Sequence, residues 1–171
     1  MNRHIPLAAL TLTCAWWLLL PDRAAAVAPV IVDGGEFFSA DAVKKANEQI
    51  RELYRKYDRD LLIETFKTVP AELAEKAKSL SKEERDKLFE TWAREQAEAR
   101  AVNGIYILIT REPPRLQVEV SPRFRSVVDG RSKDRLLNML LNDFRNKNFD
   151  AGLDEAVKFM RVKMEDQGLR K

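Results

Sequence analysis

The chain has one cysteine and one histidine in 171 residues, Cys14 and His4, and both stand near its start. From residue 15 onward it has neither. That absence excludes a disulfide framework. It also excludes a Ser-His or Cys-His nucleophile pair, and zinc sites built from imidazole and thiolate. Glycine is scarce, with six residues, and none of them forms a phosphate-cradling loop, so no nucleotide motif is present. Haem attachment motifs are absent too. Long hydrophobic runs are limited to Ile5–Leu20, which is short for a membrane span of about 20 residues. No second such run follows, so no stable span is expected in the remainder.

What is present begins with a leader. Arg3 and His4 precede the apolar run, and Pro21, Asp22 and Arg23 lead into small alanines. This pattern predicts a secretory signal peptide over 1–26, cleaved after Ala26, with Ala28 as the rival cut. Cys14 follows Leu12 and Thr13, a poor lipobox, and reads as part of the signal's apolar core. Residues 27–171 are then a single domain, exported to the periplasm or the extracellular space. The leader holds two of the 30 basic and one of the 27 acidic residues, so the rest is nearly balanced in charge. Basic and acidic residues are interspersed, with no basic stripe bearing aromatics, which argues against nucleic acid as a partner.

Hydrophobic periodicity sets the elements. Val30–Val32 reads as a short strand, and Asp33-Gly34-Gly35 as a bend. Ser39 suits a helix N-cap, ahead of Val43, Ala46, Ile50, Leu53, Tyr54 and Tyr57 at helical spacing. "DRDLLIETFKTV" has strand character and ends at Pro70. Ala71–Ser79 is a marginal helix. Ser81 and Glu84 form a capping box for a further helix whose inner face carries Leu88, Phe89, Trp92 and Ala93. Trp92 reads as core rather than as a binding platform. Asn103-Gly104 leads into an apolar strand, Ile105–Ile109, then a proline-bearing loop, Thr110–Arg115. Leu116, Val118 and Val120 alternate with polar residues in a second strand nearer the sheet edge. Two amphipathic helices close the chain, with Asp150 placed as the N-cap of the last and Gly152 allowing close packing. The sum is an α/β domain: a three-layer-like sandwich with a mixed sheet of about four strands, a β-hairpin, and helices packed on the sheet.

Four stretches, in order, resemble the TPM domain family of exported or membrane-tethered α/β domains. They are "VIVDGGEFFSADAVKKANEQIREL", "DLLIETFKTVP", "WAREQAEARAVNGIYILITREPPRLQVEVS" and "DFRNKNFDAGLDEAVKFM". The resemblance implies the same fold and a cleft at the loop ends associated with divalent cations. It further implies accessory roles in membrane complexes or, in some plant members, acid phosphatase activity. Two departures stand out. Val102 replaces the acid of the family's Asp-Asn-Gly approach, which lowers the expected cation affinity. "SPRFR" (121–125) replaces a glycine-rich acidic turn.

The resulting expectations are specific. Ca2+ or Mg2+ would be held by Asp33, Asn103 and Asp129, since hard cations take oxygen donors. Each has a plainer reading: a turn residue for Asp33, a conformational Asn-Gly turn for Asn103, a helix cap for Asp129 and for nearby Asp134. Glu64 sits inside an apolar strand, so its charge is either on a solvated sheet face, the commoner arrangement, or held within by partners. With Arg123 and Arg125 it is a candidate contact for a partner or a phosphate, the arginines otherwise being simply solvated. The function expected is a non-catalytic accessory module serving an envelope or membrane-complex protein. The alternative is a metal-dependent phosphatase-like hydrolase. Oligomeric state is left open.

Overall fold

The structure is a computed structural model that describes residues 30–167, so the expected leader lies outside the described residues. Four strands form one sheet in the order β1-β2-β3-β4: Val32–Asp33, Asp60–Thr68, Gly104–Glu112 and Arg115–Val120. The first three are parallel and the hairpin partner β4 is antiparallel, which makes the sheet mixed. Five α-helices are described: α1 (Ala40–Tyr57), α2 (Ala71–Lys78), α3 (Lys82–Ala99), α4 (Gly130–Arg145) and α5 (Phe149–Asp166). The expected α/β sandwich and its hairpin are therefore present.

Helices cover both faces. On one, α1, α4 and α5 bury Ile50, Leu53, Leu136, Leu140, Val157 and Met160 against the odd-numbered residues of β2 and β3, Leu61, Ile63, Ile105 and Ile107. On the other, α2 and α3 set Ala77, Phe89, Trp92 and Ala93 against Leu62, Tyr106 and Leu108. A strand's side chains alternate faces, so strands covered twice must be apolar throughout. This is why β3 reads as an unbroken hydrophobic run.

Strands β1, β2 and β3 lie side by side in chain order, yet the connection through α1 passes over one face and that through α2 and α3 over the other. Two crossovers stepping the same way on opposite faces have opposite hands. One of them therefore departs from the strong right-handed preference of parallel connections.

Local signals were largely accurate. Ser39 caps α1 by accepting from the Ala42 N–H, and Ser81 with Glu84 forms the capping box of α3. The marginal segment after Pro70 is helical over Ala71–Lys78. Three boundaries differ. β1 begins at Val32, two residues late, because the Ile31 N–H is taken by the Asn47 side chain rather than by a strand. The loop expected over 110–115 is narrower: Thr110 and Arg115 already pair, and β3 continues along β2 to Glu112. Asp150 is not the N-cap of α5, a place held by Asn148. Its carboxylate instead accepts the Ser39 N–H at 2.9 Å, fastening the start of α1.

Candidate functional site

Asp33 ends β1, and its carboxylate builds the loop that follows. Oδ1 accepts the Phe37 N–H at 3.0 Å and Oδ2 the Phe38 N–H at 2.9 Å. The Thr65 hydroxyl donates to Oδ1 at 2.5 Å and itself accepts the Gly35 N–H. Both oxygens are thus committed to the fold of residues 33–38, where Glu36 adopts a left-handed φ of 55°.

Asn103 and Asp129 lie elsewhere. Asp33 is level with Thr65 and Ile109, whereas Asn103 precedes Gly104 at the opposite end of the same parallel strands. Five residues of strand, about 17 Å, separate those levels. The Asn103 backbone N–H donates to Asp60 Oδ2 at 2.6 Å, and its side chain donates to the Asp58 carbonyl. Asp129 caps α4, accepting the Ser132 N–H at 2.8 Å. From Asp129 the helix runs roughly 22 Å before Phe144 reaches the Asp33 end. The three do not meet in one site. Among the described residues no cluster of three or more Asp, Glu, His or Cys side chains is arranged to hold a metal ion. A divalent cation does not fit this donor set.

Glu64 is buried, at 4% exposure, which corrects the expectation of a solvated sheet face. Its Oε2 accepts the Tyr106 hydroxyl at 2.6 Å and pairs with Arg100 Nε at 2.7 Å. Sheathing by α3 removes it from any partner's reach, and Arg100, arriving at the end of that helix, supplies the compensating charge. Burial and the neighbouring carboxylate push the Tyr106 hydroxyl far above its ordinary value, so it stays protonated and donates. Arg123 and Arg125 are exposed around the short 3-10 turn Pro122–Phe124, at the Asn103 end.

The concavity with convergent chemistry lies at the carboxyl ends of the parallel strands, a habitual place for ligands in open α/β sheets. It measures about 470 Å³ and is lined by the loop after β1, the hairpin turn, and the α4–α5 connection. Phe37, Phe144 and Phe149 form its aromatic wall, with ring centroids 5.1 to 5.7 Å apart. Ile109, Leu116 and Leu141 add apolar surface. Four cations line it, Arg111, Arg115, Arg145 and Lys147, and no carboxylate does.

Those cations are not equivalent. Arg111 donates to the Gly35 and Glu36 carbonyls and stacks over the Phe37 ring at 4.3 Å. Arg115 pairs with Asp86 at 2.6 Å and lies over Phe89. Arg145 and Lys147 make no ion pair among the described residues. Lys147 is held with φ 59° in the turn after α4, where its N–H bonds the Phe144 carbonyl. Gly152 lets this corner close, since a Cβ there would meet the Phe144 ring at 3.0 Å. Sequence reasoning missed this cleft. The available signal was the alternation of aromatic and basic residues in Phe144-Arg145 and Lys147…Phe149, a stretch whose family resemblance marks the fold and not a cleft.

A sequence profile described as the TPM domain matches residues 31–161. Among solved structures the chain is similar to the N-terminal domain of a protein from P. gingivalis. That match has a TM-score of 0.63 and 14% identity, and covers 81% of this chain and 83% of that one. It is also similar to the BA42 protein of the psychrophilic bacterium Bizionia argentinensis, with a TM-score of 0.54 and 16% identity, over 77% and 83% of the two chains. No curated protein matches the chain.

Proposed function

The chain belongs to the TPM domain family, and from that membership we propose that it is a non-catalytic binding module, an accessory domain for a protein of the cell envelope. The supporting observation is the cleft at the carboxyl ends of β1–β3: three phenylalanines and four cations, with no nucleophile-base pair and no carboxylate among its lining. General acid–base or metal-assisted hydrolysis would ask for such groups within reach of substrate. A semi-apolar cleft with a few charges is what recognition asks for. The leader pattern expected over residues 1–26 supports the reading of export. Among the described residues no helix is long and apolar enough to cross a membrane.

The test is an aryl phosphate assay on the purified protein with and without Ca2+ or Mg2+, beside a thermal melt in each condition. The reading expects no turnover above buffer. Metal-dependent turnover that disappears in Asp33→Asn would overturn it in favour of a phosphatase-like hydrolase.

A further inference from the structure

The aromatic cleft abuts the last strand of the sheet. β4 is an edge strand, and Leu116 belongs both to it and to the cleft lining. The Ser121 N–H bonds the Gly104 carbonyl, which fixes the alternation of the hairpin ladder. Arg115, Gln117 and Glu119 direct their backbone groups towards β3. Leu116, Val118 and Val120 direct theirs away from it, with no strand beyond. Val118 is fully buried and Val120 nearly so, which closes the outer edge along most of its length and leaves only its Leu116 end, at the cleft, open to an extended chain.

The charge of the cleft selects among possible chains. Arg145 and Lys147 make no ion pair among the described residues and stand beside a wall of three rings. We propose that the cleft, with the Leu116 end of β4 at its rim, docks an extended acidic peptide segment of a partner protein, with one large apolar side chain seated against Phe37, Phe144 and Phe149 and flanking carboxylates held by Arg145 and Lys147. This rests on the reading of the domain as a binding module. The cavity, about 470 Å³, is sized for one or two side chains and not for the paired acyl chains of a phospholipid. The same cations explain why this end of the sheet is unsuited to a metal ion: they would repel it.

The experiment uses the purified protein and fluorescent seven-residue peptides alternating glutamate with phenylalanine. Binding is read by anisotropy, and the amide signals of Leu116 and Lys147, which line the cleft, by NMR. Controls replace every glutamate by lysine, or every phenylalanine by serine. The acidic aromatic peptide should bind, shift those two amides, and weaken as salt rises from about 0.05 to about 0.5 M. Charge reversal, or removal of the anchor, should abolish binding. The double variant Arg145→Glu, Lys147→Glu should weaken it by about tenfold or more with an unchanged melt, both side chains being free of structural bonds. Equal binding of the lysine peptide, or full affinity in the double variant, would overturn the proposal. So would binding to phosphatidylglycerol vesicles with none to the peptide. Failure here with no phosphatase turnover leaves the binding module standing without this ligand, whereas turnover removes the module reading itself.

Discussion

Glu64 and Arg100 meet at 2.7 Å with the carboxylate buried and the guanidinium about one-third exposed, at 36%. Breaking such a pair from the cationic side strands a charge inside the domain. Arg100→Ala should cost about 2–3 kcal/mol, below the range for fully buried pairs because water already reaches the arginine. Glu64→Gln keeps an acceptor for Tyr106 and should cost less. Urea unfolding at neutral pH measures both. Equal costs for the two would mean that the lost packing, and not the stranded charge, dominates.

Asp33 stabilises a loop rather than waiting for a ligand. Asp33→Ala leaves two backbone N–H groups and the Thr65 hydroxyl without their acceptor, so a loss of about 3 kcal/mol is expected. The loss should be the same in chelator and in calcium. A loss seen only when calcium is present would restore a cation role to this residue.

Gly104 fits because it has no side chain. A Cβ there would lie 2.0 Å from the Asp60 carbonyl oxygen, a backbone atom that cannot step aside. Gly104→Ala should therefore destabilise by about 3 kcal/mol or more, or prevent accumulation of folded protein. Gly130→Ala, where a Cβ meets nothing within 4 Å, is the matched control and should melt like the parent.

Stability should rise as the solution becomes mildly acidic. Burial pushes the carboxyls of Asp60 and Glu119 above their ordinary values, against the Asn103 N–H in one case and Lys133 in the other. Folding raises their proton affinity, so stability increases as pH falls from neutrality through the folded-state values towards about 4. Asp129 and Glu84 act with the opposite sign. Backbone N–H groups hold both below the ordinary range, and the stability they contribute is lost on further acidification. Melts between neutral pH and about 4 should flatten in the Asp60→Asn, Glu119→Gln double variant. An unchanged slope would assign the effect to other groups.

Most of the scaffold was legible because its signals are local. The Ser81–Glu84 box, the Ser39 cap and the periodic faces of α1, α4 and α5 depend on residues within a few positions of each other. What escaped depends on partners far away in sequence. Alternation is uninformative in β2 because both of its faces are covered, so nothing nearby marks Glu64 as buried. Arg100, its partner, lies 36 positions along. Asp150 looked like the cap of its own helix, and only the folded chain shows it serving Ser39. The cleft draws Phe37, Arg111, Phe144 and Phe149 from separate segments, a convergence no window along the chain contains.

The late position of α5 has a consequence for how the molecule comes into being. Its Leu153, Val157, Met160 and Met164 complete the layer that α1 began more than a hundred residues earlier. A polypeptide emerging amino end first would leave Ile50 and Leu53 without that cover until synthesis has passed Met164. Folding of this domain thus waits on its last helix, and a ribosome stalled before that helix should display a protease-sensitive, chaperone-binding intermediate in place of a compact one.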